Sequence, residues 1–394
     1  MNPQLNYENR MNSGVLLLLN CPKLMEFGID NSSWTIGDKF MGIKHIPFGP
    51  HFLYYSTKDE NYQFKQGFFI NVEEKDKIHI RKWNNEVADF ITLKEEEFKN
   101  FSVGINNLDF DAFLGNYPIE QISNWKDMTK FINKKVIERL EPIDKKYITH
   151  SKEYETNKNE ETIKGNIYYT NIPLKRTYLG SKLSPEELTE INLDKSAIFE
   201  DLILKEYNKD ESFILGEFQY AFVTFLLCEI YESFEQWRKI FILICSCKKN
   251  VTQRENFYCD FIETIYHIFR NFHKDFFTDQ ITCDSFINKL LNDFIYTCEA
   301  SLDVNSPLIK RIKFFKKFLN EYFNFEIKNE EERIIDKYLN GVLNEDCDMG
   351  DEDMPVIVKE RDIKRTDDEI VEEDMKESYE TDEKEDENIS VYFI

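Results

Sequence analysis

The segment that decides the N-terminal fold reads LLLLNCPKLMEFGIDNSSWTIGDKFMGIKHIPFGPHFLYYS and runs from Leu16 to Ser56. It begins within an apolar run, Val15 to Leu19, and is then divided repeatedly by glycine and proline. Apolar runs of this length between Gly and Pro are typical of short buried strands joined by tight turns. The segment therefore predicts the start of a sheet.

Three stretches rich in aromatic and β-branched residues, at 51–56, 67–72 and 77–83, extend this prediction. In the last of them Ile78 and Ile80 alternate with polar residues, as in a half-buried strand. Such alternation is characteristic of antiparallel sheets, which often leave one face in water. We therefore expect the N-terminal sheet to be antiparallel.

Helices are predicted to follow the strands. Apolar residues at 98–112 recur at helical spacing. A second helical pattern opens at Pro118 and continues to Leu140, and Pro142 marks its end. The first domain is therefore expected to span 1–142, as a β-rich, sandwich-like structure with appended helices.

The middle of the chain, 143–183, is polar and is predicted to be a flexible linker, because it buries too little apolar surface to offset its ordering entropy. Within it, 167–170 is expected to form one short strand. Ser184 then opens a helical region, with Pro185 at the first helical position. Apolar residues recur every three or four positions to about residue 344, and these stripes predict an antiparallel helical array.

Charge is distributed unevenly along the chain. The net charge is -24, and the tail at 345–394 carries 21 acidic and 6 basic residues, or -15, which leaves -9 for the rest. Such a tail is predicted to be disordered. An acidic surface repels phosphate backbones, so we expect no direct nucleic-acid binding. The basic run at 310–317 is expected to be the solvated face of an amphipathic helix.

No apolar run reaches the roughly 18 residues that a membrane span requires, and Val15 to Leu19 is too short for a signal peptide. The chain is therefore expected to be intracellular, without a membrane partner. Its eight cysteines are then expected to be reduced core thiols, and no two pairs have the spacing of a zinc site. We expect neither a metal nor another cofactor.

The opening segment also contains an ordered motif. Its positions are Glu26, Phe27, Gly28, Asp30, Trp34, Gly37, Pro47, Gly49 and His51. This motif resembles the first signature of the AAR2 splicing-factor family, which assists assembly of the U5 small nuclear ribonucleoprotein. The chain departs from the family pattern at Leu24-Met25, in place of Gly-Thr, and at Phe48, in place of a second Pro. We expect the motif residues to have structural roles.

A second motif resembles the same family. LGEFQYAF begins at Leu215, and YESFEQW ends at Trp237. Gly216 and Glu217 of the first part, and the final Trp, are likewise expected to be structural. The resemblance covers most of 15–325 and implies a β-rich first domain and an all-helical, superhelical second domain.

Pattern and resemblance together predict an α+β chain. We expect the β-rich domain at 1–142, the polar linker at 143–183, the all-helical domain at 184–344, and the acidic disordered tail at 345–394. The tail is expected to contain a short docking strand.

Motifs for catalysis are missing from the sequence, since it has no GxxxxGK[ST], GxSxG or HExxH pattern. His51 could act as a general base, but a His between Pro50 and Phe52 at a strand start is more often a structural hydrogen-bond donor. Glu26 and Asp30 are expected to accept backbone N–H groups of the turn around them. We predict that the protein is not an enzyme.

The acidic tail contains one β-prone island, MPVIVKE, from Met354 to Glu360. Such an island suits strand addition to the sheet edge of a partner. The alternatives are an apolar stretch without a role and a strand docked on the chain's own sheet. In the AAR2 family the tail docks as a strand on the RNase H-like domain of the large spliceosomal scaffold protein, and this heptapeptide resembles it. The candidate partner-binding residues are Pro355, Val356, Ile357, Val358 and Glu360.

The resemblance implies a pre-mRNA splicing factor that acts as an assembly chaperone of the U5 particle. It would bind the RNase H-like region of the scaffold protein and block premature docking of the RNA helicase, as a monomer found in cytoplasm and nucleus. Thr366, followed by three acidic residues, is a candidate phosphorylation site for its release. The alternative is a helical adaptor of membrane trafficking that reads sorting peptides.

Overall fold

The N-terminal part of the protein is built from two β-sheets that face each other. The computed structural model describes residues 12–56, 65–86, 88–141, 167–174, 184–271, 284–325 and 327. The strands are β1 (Gly14–Leu19), β2 (Glu26–Ile29), β3 (Ser32–Thr35), β4 (Gly42–Ile46), β5 (Gly49–Ser56), β6 (Lys65–Val72), β7 (Ile78–Asn84), β8 (Asp89–Ile91) and β9 (Leu114–Asn116).

The two sheets differ in pairing. The first has the order β8-β7-β1-β4-β9, with β1 antiparallel to β4 and parallel to β7. The second has the order β3-β2-β5-β6 and is antiparallel throughout. The prediction that 77–83 belongs to an antiparallel sheet was therefore wrong in part. The strand β7 is antiparallel to β8 but pairs in parallel with β1, a partner that lies about sixty residues earlier in the chain.

The strand β1 is buried on both faces. Leu16 and Leu18 pack between the two sheets, with residues such as Phe27 and Leu53 of the second sheet. The opposite side of the strand carries Val15, Leu17 and Leu19, which pack under a helix. A strand buried on both faces must be apolar at every position, which explains the unbroken GVLLLL.

Gly42 allows the close pairing of β4 with β1. Its φ is +136°, and a Cβ atom placed on it would lie 2.0 Å from the carbonyl oxygen of Leu16. No other residue type tolerates both the backbone angle and this approach.

Three helices accompany the sheets. They are α1 (Glu95–Asn106), α2 (Ile122–Met128) and α3 (Lys134–Leu140). The first covers the outer face of the β1 sheet through Phe98 and Ile105. The continuous helix predicted from Pro118 to Leu140 is in fact two helices, separated by a break at 129–133, and Asn133 caps the second through its side-chain oxygen.

The second region is helical, as predicted. The helices are α4 (Pro185–Leu193), α5 (Ser196–Lys205), α6 (Ser212–Cys228), α7 (Tyr231–Cys245), α8 (Asn250–Gln253), α9 (Glu255–Asn271), α10 (Asp284–Ser301) and α11 (Pro307–Phe323). One aromatic-rich core joins them. The basic run lies on α11, whose opposite face buries Ile312, Phe315 and Leu319, which confirms the amphipathic helix.

The described part of the predicted linker, 167–174, is packed rather than free. Ile172 is 6% exposed and belongs to the helical core, while Thr170 is 4% exposed. The short strand predicted at 167–170 is not formed, because the Tyr169 N–H bonds back to the Ile167 carbonyl and these residues pair with no strand. We call residues 167–174 the strap. The domain boundaries themselves stay predictions.

The described cysteines are free thiols, and all but the half-buried Cys21 are buried. Burial raises the pKa of their thiols, in Cys21 to about 12, which makes them poor nucleophiles. Among the described residues, no helix is both long and apolar enough to cross a membrane.

Candidate functional site

The predicted partner-binding residues of the tail and Thr366 lie outside the described residues. The family-signature residues lie within the described part of the chain, and four of them, Asp30, Pro47, His51 and Glu217, take part in two buried polar clusters. One is in the β-rich region around Asp30, and the other lies among the helices around Glu217.

The first cluster joins three segments that are far apart in sequence. The carboxylate Oδ2 of Asp30 lies 2.6 Å from His51 Nδ1 and accepts a 2.7 Å hydrogen bond from the Tyr117 hydroxyl. Its Oδ1 accepts the backbone N–H of Phe52 at 2.9 Å. The prediction that Asp30 accepts turn N–H groups needs correction, since this donor belongs to the neighbouring strand β5.

His51 is held from both sides of its ring. Its Nε2 faces the carbonyl oxygen of Pro47 at 2.9 Å, and a carbonyl can only accept. Its Nδ1 faces the Asp30 carboxylate, so each ring nitrogen lies against an oxygen acceptor. With 2% of His51 exposed, the ring is a structural donor, as predicted, and does not reach solvent as a base would need to. Burial, together with the nearby Asp30, raises the pKa of Tyr117 far above its usual range.

Other residues of the first signature shape the sandwich around this cluster. Phe27 is fully buried between the sheets. A Cβ on Gly28 would fall 2.2 Å from the Tyr54 ring, so that ring lies flat across the glycine. Gly49 has φ of +130°, which suits the start of β5. Glu26 is half-buried at the start of β2.

Trp34 is the exception among the signature residues. It lies on β3, an edge strand of the second sheet, opposite Phe27, and 39% of it is exposed. An aromatic residue in such a motif is expected to lie in the core, and for Trp34 this expectation is wrong. The physical reason is that β3 faces solvent at three of its four positions.

The second signature forms the joint between the β-rich region and the helices. A Cβ on Gly216 of α6 would lie 2.7 Å from the carbonyl oxygen of Phe131, in the break between α2 and α3. The N–H of Phe131, released from helical bonding by that break, donates to Gln219 Oε1 at 2.7 Å. One turn further on, the ring of Tyr220 stacks on Phe69 of β6 at 4.7 Å. Three positions of the second signature, Gly216, Gln219 and Tyr220, therefore determine where α6 packs.

Glu217, 1% exposed, is the centre of the second cluster. Its Oε1 accepts bonds from the Thr170 N–H at 2.7 Å and from Gln236 Nε2 at 2.9 Å. Its Oε2 accepts bonds from the Thr170 hydroxyl at 2.7 Å, the Tyr207 hydroxyl at 2.8 Å and Arg139 Nη1 at 3.3 Å. A buried carboxylate is tolerated when it is paired and hydrogen-bonded in this way. Burial raises the pKa of Tyr207 well above its usual value.

Trp237, 1% exposed, ends the second motif in the helical core. Its ring stacks on Phe241 at 5.5 Å and on Phe218 at 5.7 Å. The prediction of a core position is confirmed for this residue.

Sequence reasoning missed the strap and the partners of Glu217. A carboxylate inside the apolar stretch LGEFQYAF signals a buried acid that needs donors. The pattern cannot say where those donors are, since Arg139, Thr170 and Gln236 come from three separate segments. Tyr117 directly precedes Pro118, and its bond to Asp30 could not be predicted from spacing, since 87 positions separate the two residues.

The fold and the two clusters define a class of protein: a two-sheet β-rich region joined to a helical region through a buried polar joint. The chain belongs to the AAR2 family. The sequence models of the AAR2 N-terminal domain and of the AAR2 C-terminal repeat region match residues 12–142 and 169–328.

Individual relatives agree with the family assignment. The proteins of Mus musculus and Homo sapiens named Protein AAR2 homolog are each 28% identical over 369 residues, which cover 84% of this chain and 94% of the relative. The A1 cistron-splicing factor AAR2 of Saccharomyces cerevisiae is 23% identical over 259 residues, 58% of this chain and 69% of that protein.

Proposed function

We propose that this AAR2-family chain is a pre-mRNA splicing factor that acts as an assembly chaperone of the U5 small nuclear ribonucleoprotein. It binds the RNase H-like region of the large scaffold protein and blocks premature docking of the RNA helicase. The observation that carries the proposal is the match of both AAR2 domains, in order, within one chain. The name of the yeast relative, a splicing factor, supports the broader assignment.

A binding role without catalysis fits the chemistry of the described signature residues. His51, Asp30 and Glu217 are each at most 2% exposed and are engaged in internal hydrogen bonds. Side chains held in this way stabilise a fold and offer no access to a substrate. We accordingly propose a non-enzymatic protein, and the resemblance to the family implies a monomer of cytoplasm and nucleus. Occupying a surface that the helicase shares would lower the free scaffold by mass action.

The tail supplies the proposed contact. Pro355 to Glu360 would add a strand to the edge of the RNase H-like sheet, where main-chain bonds give affinity and alternate side chains give specificity. Calorimetry with the isolated RNase H-like domain tests this directly. Deleting 345–394 is expected to weaken binding at least tenfold, and Ile357→Pro to reproduce much of the loss by removing a ladder donor.

Ile370→Pro is the matched control, because it places the same residue elsewhere in the acidic tail. It is expected to leave the dissociation constant unchanged. An unchanged constant for the deletion would overturn the docking-strand proposal, and capture of sorting peptides in its place would favour the trafficking adaptor.

Thr366 is proposed as the release switch. A phosphate would add about -1.5 to -2 charges to the tail and weaken docking on a neutral or acidic sheet edge. Tail peptides with Thr366 and with Thr366→Glu are compared for binding at two salt concentrations. Equal affinity at both would remove Thr366 from the mechanism.

A further inference from the structure

The strap is bound by the side chains around it as a peptide ligand is bound. The N–H of Thr170 donates to Glu217 Oε1 at 2.7 Å, and its carbonyl oxygen accepts from Gln236 Nε2 at 2.8 Å. Both main-chain groups of Thr170 are therefore met by side chains. Two residues before Thr170, the N–H of Tyr168 donates to the Leu140 carbonyl at the end of α3.

Side chains of the strap add selectivity. The Thr170 hydroxyl donates to Glu217 Oε2 at 2.7 Å and accepts from Arg139 Nη2 at 2.9 Å. The Tyr169 hydroxyl donates to Ser233 Oγ at 2.8 Å and lies 3.1 Å from Thr224 Oγ1. Ile172, two positions after the Thr, fills an apolar position of the helical core.

The groove keeps most of its own polar partners if the strap is removed. Glu217 accepts five bonds, and only the two from Thr170 belong to the strap. Arg139, Tyr207 and Gln236 would remain on the carboxylate. A site that stays largely satisfied when empty costs less to open than a core position, where an orphaned charge would be left.

We propose that the groove between α3, α6 and α7 is a peptide-binding site and that residues 167–174 are its ligand, held in cis. The ligand class is a short peptide segment with Tyr, then Thr or Ser, and an apolar residue two positions further on. A segment of this kind in a partner protein would replace the strap. This inference does not depend on the proposed splicing role.

Covalent attachment explains why a free ligand would bind weakly to the intact protein. A covalently attached ligand can have an effective concentration of about millimolar at its site, and a free peptide must compete with it. Residues 142–166 connect α3 to the strap, and residues 175–183 connect the strap to the start of the helical region. The test must therefore weaken the strap in cis before it offers a ligand in trans.

The probe is a fluorescein-labelled peptide of the strap sequence IYYTNIPL, followed by anisotropy. The receptor is the full chain with Tyr169→Ala and Thr170→Val, compared with the unchanged full chain. We expect the altered chain to bind the peptide at least tenfold more tightly. A peptide with Thr170→Val should lose at least tenfold, whereas one with Thr170→Ser should stay within about threefold. Equal, weak binding by both receptors, with the altered chain shown to be folded by its thermal transition, would overturn the proposal.

A second measurement covers the case in which the altered chain does not fold. Hydrogen exchange of the unchanged chain, read by mass spectrometry, compares the strap with α6. A displaceable strap opens locally, so its amides should exchange at least a hundredfold faster than those around Phe218. Equal protection of the two segments would mean that the strap leaves only on global unfolding, which contradicts the proposal.

Discussion

Asp30 Oδ2 and His51 Nδ1 lie 2.6 Å apart, and both side chains are almost completely buried. The pair links the end of β2 to the middle of the second sheet, and Tyr117 joins it from the segment after β9. One carboxylate therefore holds together strands of one sheet and the chain that leaves the other. This makes the Asp30 cluster the polar centre of the β-rich region.

Asp30→Ala is expected to destabilise the protein by about 3–5 kcal/mol, because it leaves His51, Tyr117 and the Phe52 N–H without their buried acceptor. Urea unfolding followed by tryptophan fluorescence measures the change. Asp38→Ala is the control, since the Asp38–Lys23 pair is about 70% exposed or more on each side and should matter by less than about 1 kcal/mol. Similar losses for the two variants would contradict the role given to Asp30.

Two signature glycines should respond differently to the same methyl group. Gly216→Ala places a Cβ 2.7 Å from Phe131 O and from Val136 Cγ2, and we expect a loss of about 1–3 kcal/mol. Gly37→Ala meets no atom within 4 Å and should be neutral or slightly stabilising. Thermal unfolding of the pair decides the matter. The helical joint would be looser than described if Gly216→Ala melted like Gly37→Ala.

Replacing the two signature tryptophans is expected to cost different amounts of stability. Trp237→Ala empties a stacked core position and should cost about 3–5 kcal/mol. Trp34→Ala removes a ring that is 39% exposed on an edge strand and should cost much less, about 1 kcal/mol. Melting temperatures test stability, and calorimetry with the RNase H-like domain tests binding. A Trp34→Ala protein that melts normally but loses the partner would mark Trp34 as a contact residue.

Leu24→Gly should stabilise the protein by about 0.5–1 kcal/mol. Leu24 has φ of +61° and is 65% exposed, so glycine relieves backbone strain and little buried surface is lost. The comparison is Leu204→Gly, an exposed leucine in α5, which should lose about 0.5–1 kcal/mol of stability. The denaturant midpoints give both stability changes. A loss of stability in Leu24→Gly would refute the backbone strain at Leu24.

Asp89→Asn is expected to stabilise the protein above pH 6 and to have little effect near pH 4. Burial raises the pKa of Asp89 to about 6, above its ordinary value of 3.8, although the Tyr55 hydroxyl and the Phe90 N–H lower it. The folded chain then holds a proton that the unfolded chain releases, so wild-type stability falls as pH rises between these values. The gain at pH 7.5 should be on the order of 1 kcal/mol, after allowance for partial exposure. Urea unfolding at pH 4 and pH 7.5 checks this, and equal gains would contradict it.

Local patterns predicted much of the fold. The run GVLLLL indicated a buried strand because it is apolar at every position. The apolar stripes indicated α6, α7, α9 and α11, because the helical spacing of buried residues is visible in a short window. Ser184-Pro185 predicted the start of α4, because the capping of a helix involves only residues that are neighbours in sequence.

Features that depend on distant segments could not be predicted. The break between α2 and α3 contains neither Gly nor Pro, and its free Phe131 N–H is met by Gln219, 88 residues later. The strap looked like a linker because its neighbours are polar, and its anchor is Glu217. For Trp34, the neighbouring serines and threonine indicated an exposed edge strand. The prediction of a core position followed the aromatic motif instead.

The stacking of Phe69 on Tyr220 has a consequence for synthesis of the protein. The face of the second sheet formed by Phe52, Tyr54 and Phe69 is covered partly by α6, which is made long after the strands. At about 5–20 residues per second, the roughly 90 residues between α3 and the end of α6 take about 5–20 seconds to translate. During that interval a folded sandwich would present an aromatic face to water. A nascent chain of this design therefore needs either delayed folding or a transient cover on the ribosome.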